Sequence, residues 1–309
     1  MPEQEPLVRA EALVKRYGDH TAVDGVAFEV RPGQVFGLLG PNGAGKSSTM
    51  RMISCVSKPT AGSLRLFGLD TATHGPAIRA RIGVCPQQDT LDHELTLRQN
   101  LTVFARYFRI PRATAAARAG ELLDFVRLAD RADDRVDSLS GGMKRRLSIA
   151  RAMINEPELM LLDEPTTGLD PQARHLLWER LDQLRRRGVT QILTTHYMDE
   201  AEQLCDWLVV VDGGRVVATG TPGGLIAQHC TKEVVELRVR QDEFPEAELS
   251  GLGLRLELLA DRALLYADDG DAAAAAVHRR GIDVRSVLVR RSGLEDVFLH
   301  LTGRTLVDS

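Results

Sequence analysis

One stretch limits the possible folds of this chain more than any other: GPNGAGKSS at residues 40–48. It fits the pattern G-x-x-x-x-G-K-[ST], in which glycines let successive backbone N–H groups wrap around phosphate oxygens. Lys46 stands where an ammonium reaches the outer phosphates, and Ser47 where a hydroxyl ligates Mg2+. A chance glycine-rich turn is the plain alternative, but the context argues against it. The apolar run QVFGLLG precedes the loop, the pattern of a buried strand, and SSTMRMISCV follows with helical spacing. A strand, a glycine loop and a helix N-terminus in that order make an anion site, because the helix dipole and its unpaired N–H groups face the loop. The candidate cradle comprises Gly40, Pro41, Asn42, Gly43, Ala44, Gly45, Lys46, Ser47 and Ser48.

The rest of the chain fits a larger α/β plan. LVRAEALVKRY and VAFEV supply β-like runs before the loop, and SLRLFG and IGV are expected to extend the sheet. From about 94 to 157 apolar residues recur at helical spacing, as in LTLRQNLTVFARYF and TAAARAGELLDFVRLAD. Strand character returns in ELMLLDE, VTQILTTH and DWLVVVDGGRVVATG, with a helix over about 171–187. Strands alternating with helices indicate a parallel α/β sheet, here carrying an inserted helical lobe. Beyond Gly223-Gly224 a tail of strand, strand pair, helix, strand and short helix reads as a small α+β domain with no motif that carries chemistry. The length of 309 residues accommodates both domains.

Two further motifs carry chemistry. LMLLDE at 159–164 ends an apolar strand in adjacent acids. A phosphate-loop enzyme needs one acid in the Mg2+ shell, the role assigned to Asp163, and a second to orient or deprotonate the attacking water, assigned to Glu164. The other motif, LSGGMKRRL at 139–147, offers a second helix N-terminus free of side chains. A second anion site beside a complete cradle makes sense when it faces another molecule's nucleotide. Two chains related by a two-fold would then enclose two nucleotides, each between one chain's cradle and the other chain's Ser140, Gly141 and Gly142.

The order GPNGAGKSS, Gln87, LSGGM, LMLLDE, TTGLD and His196 resembles the nucleotide-binding subunit of an ABC transporter, over roughly residues 7–220. The resemblance implies a phosphate-loop cassette with an N-terminal antiparallel β region and an inserted helical subdomain at about 88–157. It places an ATPase domain at 1–225 and leaves 231–309 as an α+β accessory domain. It further implies ATP and Mg2+ as ligands, a homodimer, and a separate ABC-2 type membrane permease. By the same resemblance Tyr17 stacks on adenine, Gln87 senses Mg2+ and the attacking water, Asp170 sits at the dimer seam, and His196 contacts the γ-phosphate. Three positions depart from the commonest pattern: Met143 replaces glutamine after SGG, Ser48 replaces threonine, and Gly168 replaces a small side chain in the seam loop. LSGGMKRRLSIARA, DEPTTGLDPQAR and LEDVFLHLTGR are similar to ATPases of drug-resistance and nodulation-factor exporters. That implies a place on the cytoplasmic face of the inner membrane, held through the permease, and docking through Gln87 and the following DTLDHELT segment. An importer ATPase shares the same cassette chemistry, and a non-transport ABC protein is the more distant alternative.

Composition sets bounds on these readings. A net charge of −4 provides no basic field for nucleic acid. The N-terminal MPEQEPLVRA is acidic and lacks the apolar core of a signal peptide, and no apolar run approaches membrane-spanning length. Cys55, Cys85, Cys205 and Cys230 are scattered without metal or disulfide spacing, so they read as reduced packing residues. Arg185-Arg186-Arg187 reads as a solvated helix end, and Lys144-Arg145-Arg146 as a solvated face after the SGG motif.

Overall fold

In the computed structural model, residues 5–239, 249–259 and 261–303 are described. The expected tail positions 240–248, 260 and 304–309, and the first four residues of the expected ATPase domain, lie outside them. The chain divides into two units, 1–220 and 221–309. The division falls five residues before the boundary read from the sequence, because a helix starts directly after Thr221, whose hydroxyl caps it by accepting from Gly224 N.

The first unit opens with the antiparallel pair β1 (Val8–Tyr17) and β2 (His20–Val30). Strand β3 (Val35–Leu39) is buried along its whole length, as an apolar run covered on both faces should be. Helix α1 (Lys46–Ile53), strands β4 (Ala61–Leu66) and β5 (Leu69–Asp70), helix α2 (Gly75–Arg79) and strand β6 (Ile82–Cys85) follow. The helical stretch consists of α3 (Leu97–Ala105), α4 (Arg112–Phe125) and α5 (Gly141–Ala152). Then come β7 (Leu159–Asp163), α6 (Pro171–Arg186), β8 (Thr190–Thr195), α7 (Met198–Leu204), β9 (Trp207–Asp212) and β10 (Arg215–Gly220).

These strands form two sheets, one of them the N-terminal antiparallel region that the family resemblance implies, so SLRLFG and IGV do not extend the same sheet. The antiparallel sheet runs β2-β1-β4-β5, and the second runs β10-β9-β3-β8-β7-β6, parallel except for the β10 edge. SLRLFG therefore joins the antiparallel sheet through β4 and β1, while IGV joins the parallel one through β6 and β7. Phe28 of β2 stacks on Phe36 of β3 at 5.1 Å between ring centroids, within an apolar core fed by both sheets. The helices between β6 and β7 build a core of their own around Leu97, Leu101, Leu123, Leu147 and Ile154. Helix α3 starts on a capping box: Thr96 Oγ1 accepts from Gln99 N, and Gln99 Oε1 accepts from Thr96 N. Buried Asn100 fastens the preceding loop, with its amide donating to Asp92 O and Thr96 O.

The second unit contains α8 (Pro222–His229), β11 (Glu233–Val239), β12 (Arg255–Leu258), β13 (Ala263–Ala267), α9 (Gly270–Arg279), β14 (Val284–Arg291) and α10 (Leu294–Thr302). Its antiparallel sheet has the order β12-β13-β11-β14. In the first turn of α10, the fully buried Asp296 carboxylate takes both Nη groups of Arg290 at 2.7 and 2.9 Å and the Tyr266 hydroxyl at 3.2 Å. A buried acid needs such partners, since desolvating it unpaired is costly.

Candidate active site

The cradle turns between the end of β3 and the start of α1, at the carboxyl edge of the parallel strands, where open α/β sheets place ligands. Its backbone demands glycine at Gly45: φ is +98°, and a Cβ there would stand 2.3 Å from the Ala22 carbonyl oxygen. No side chain caps α1, so its first-turn N–H groups are left for an anion. Lys46 is only 5% exposed, and its ammonium donates to Gly40 O at 2.6 Å and Pro41 O at 2.9 Å. Burial pulls its pKa below the usual lysine range, opposed by the charges of Glu164 and then Asp163. Ser47 lies exposed on the first turn and Ser48 is half-buried. The loop borders a cleft of about 280 Å3 shared with Tyr17, His20, Gln87 and Glu164.

The two acids emerge from β7. Asp163 accepts a hydrogen bond from the Thr194 hydroxyl of β8. Glu164 N donates to both Thr194 O and Thr194 Oγ1, at 3.2 and 3.0 Å. Glu164 itself has φ of +44°, left-handed for a residue with a Cβ, which costs energy and persists only where neighbours hold it. Its carboxylate is 7% exposed, and Oε2 accepts from Gln87 Nε2 at 2.8 Å and from Thr167 Oγ1 at 3.0 Å. Oε1 lies 3.8 Å from Lys46 Nζ and 3.3 Å from His196 Nδ1, the latter without hydrogen-bond alignment. Four segments far apart in sequence thus bring Lys46, Gln87 and His196 onto the Glu164 carboxylate.

Other expected site residues lie elsewhere. Ser140, Gly141, Gly142 and Asp170 do not line the cleft of their own chain. Ser140 is the N-cap of α5, its Oγ accepting from Met143 N, and Asp170 caps α6 by accepting from Ala173 N at 2.9 Å. A Cβ on Gly142 would stand 2.9 Å from that of Ala173, so the SGG turn packs close to α6. Tyr17 is 43% exposed at the cleft rim, with the Lys15 ammonium 5.0 Å from its ring centroid. Met143 packs against the helical core and its sulfur accepts from Arg131.

The solvated-face reading of Lys144-Arg145-Arg146 is wrong: all three are half-buried. Arg146 donates to Val126 O at 2.7 Å. Arg145 donates to the carbonyls of Pro86, Asp163 and Pro165, which flank Gln87 and Glu164. No sequence signal marks it, because backbone acceptors look the same in every residue. Arg185, Arg186 and Arg187 are exposed at the end of α6, where Arg185 and Arg186 pair with Asp182. All four cysteines are free thiols.

This cleft can be set beside known proteins. Residues 23–167 match the family model described as ABC transporter, and residues 242–303 match that of the nodulation factor export protein NodI, C-terminal domain. The chain is 47% identical to a Nod factor export ATP-binding protein I of Paraburkholderia xenovorans, over 98% of this chain and 99% of the relative. This chain belongs to the ATP-binding subunits of ABC transporters. A Ralstonia nicotianae relative with the same name is 48% identical, covering 98% of this chain and 96% of its own. Among solved structures, the ATP-binding cassette MJ0796, captured as a dimer in a post-hydrolysis state with ADP and Pi, aligns with a TM-score of 0.64. It is 27% identical, over 69% of this chain and 98% of its own. The subunit is therefore an ATPase whose hydrolysis powers transport. No helix among its described residues is long and apolar enough to cross a membrane.

Proposed function

We propose that this subunit drives export by closing, as a homodimer, around two ATP molecules, each held between one copy's cradle and the other's Ser140-Gly141-Gly142 tip. The observation that carries the reading is the separation just described. Lys46, Gln87 and Glu164 line one cleft, with His196 3.3 Å from the Glu164 carboxylate, while the second helix tip on the same chain, capped by Ser140, does not line that cleft. Within the cleft Lys46 grips the outer phosphates, Tyr17 stacks on the base, and Glu164 holds the attacking water and takes its proton. His196 and Asp170 complete the arrangement at the γ-phosphate and the seam. The oxygen donors Ser47, Asp163 and Gln87 suit Mg2+, which is held by few carboxylates together with phosphate oxygens. When bound, Mg2+ neutralises charge on the β- and γ-oxygens. Because the γ-phosphate contacts both copies, its loss weakens only the closed state, which is the differential binding a conformational cycle needs.

Mixing two inactive variants tests the arrangement across chains. A Lys46→Ala chain keeps the helix tip, and a Gly142→Asp chain keeps the cradle. A mixture of the two restores measurable ATPase activity if each site is shared between chains, since one intact composite site then forms. A mixture as inactive as either variant alone would rule the sharing out.

The relatives' names point the cargo towards nodulation factors, and a hydrophobic or lipid-linked compound fits the exporter resemblance; the relatives named above give no support to a drug. The permease, of ABC-2 type in this reading, would hold the subunit at the cytoplasmic face of the inner membrane. A groove of about 750 Å3 in the first unit offers the docking surface, bordered by Val84, Phe104, Tyr107 and Ile110 with Arg79 and Arg109. Residues 89–96, the segment expected from sequence, do not line it. Tyr107 is 79% exposed there, an anchor of the type that dominates interfaces. Tyr107→Glu is expected to reduce co-purification of the permease at least tenfold (about 1.4 kcal/mol) with ATP binding unchanged. Full retention of the complex would exclude this groove. Residues 231–309 would serve as an accessory domain that tunes activity or dimerisation.

A further inference from the structure

We infer that Arg145 is a positioning residue that fastens the catalytic carboxylate of its own chain to the helix whose tip is offered to the partner chain. This rests on the reading of Glu164 as the residue that activates water. Arg145 sits on α5, about one turn beyond the Ser140-Gly141-Gly142 tip. Its Nη2 donates to Asp163 O at 2.7 Å and its Nε to Pro165 O at 2.8 Å, the carbonyls on either side of Glu164. The third donor, Nη1, holds Pro86 O, next to Gln87. Bridging the carbonyls of the residues before and after Glu164 stabilises the one backbone turn that Glu164, with φ of +44°, adopts at a cost. A planar guanidinium spreads its donors over three nitrogens and so reaches three divergent carbonyls, whereas an ammonium gathers its three donors on one nitrogen.

A second arginine extends the attachment. Arg151, on the same helix and 9% exposed, donates to both Thr90 O and Thr90 Oγ1. Its guanidinium also lies 5.0 Å from the Phe104 ring centroid on α3. The segment from Pro86 to Thr90 is thus pinned to α5 at both ends, with Gln87 between the pins. Any rotation of α5 that answers ATP at its tip moves Gln87 and the Glu164 turn of the same chain. Displacements of about 1 Å at such groups cost on the order of 100-fold in rate. The device would therefore report the state of one ATP site to the other.

The test uses the full-length chain, comparing Arg145→Lys, Arg145→Met, Glu164→Gln and the double variant Arg145→Met/Glu164→Gln. ATP affinity is measured by calorimetry, and kcat and KM by phosphate release. Arg145→Met is expected to lower kcat about 100-fold with ATP affinity within about threefold of the parent. Arg145→Lys, which preserves charge and stem and guards against misfolding, is expected to lower kcat about tenfold. In the Glu164→Gln background, Arg145→Met should cost less than about twofold further, since a residue that acts through Glu164 has nothing left to position. A kcat for Arg145→Met within twofold of the parent, or losses that multiply in the double variant, would overturn the role of Arg145. Parental hydrolysis by Glu164→Gln alone would instead remove the reading beneath it.

Discussion

Glu164→Gln is expected to bind ATP with parental affinity yet hydrolyse it about 100- to 1,000-fold more slowly, within the range for losing a general base. The amide matches the carboxylate in shape and can still accept from Gln87 and Thr167, so these two contacts holding the side chain survive. It cannot accept the proton of the attacking water. With both composite sites filled and no turnover, the dimer should remain closed and elute as a dimer from gel filtration in ATP, whereas the parent returns to monomer. Phosphate release at the parental rate would refute the assignment, and a monomer in saturating ATP would refute the closed state as the one ATP stabilises.

The second large effect concerns binding. Lys46→Ala is expected to weaken ATP affinity by at least about 100-fold, roughly 2.7 kcal/mol. The lost group is a buried ammonium whose present acceptors are the loop's own carbonyls, Gly40 O and Pro41 O. Phosphate oxygens would replace those neutral acceptors with charged ones, and charge-assisted hydrogen bonds are about twice as strong. The fold should tolerate the change. Removing a desolvated cation offsets the two hydrogen bonds it made, and the φ of Gly45 that shapes the loop is unaffected. Circular dichroism and thermal melting serve as the check on folding. Micromolar affinity retained in this variant would contradict the cradle.

Much of this molecule could be read before its fold was known, and the exceptions share a cause. The strand, loop and helix around GPNGAGKSS and the buried strand LMLLD follow from local patterns, and both occur as read. Misplacements arose wherever a partner had to be chosen. β4, with its alternating burial, could edge either sheet, and only pairing with β1 settled the matter. The short helices α2, α7 and α8 went unseen because five to eight residues carry too little periodicity to distinguish a helix from a loop.

The same division separates the site's ingredients from their arrangement. Residue types and spacing pointed to Lys46 and Glu164, because phosphate binding and water activation admit few side chains and leave a spaced motif, whereas Gln87 and His196 were named by the family resemblance of the motif order. That Glu164 occupies a left-handed turn, and that Arg145 grips the carbonyls flanking it, was decided only by tertiary structure. Backbone carbonyls are identical at every position, so a side chain that recognises them leaves no trace in the sequence; its role emerges when the chain closes and brings α5 against the end of β7.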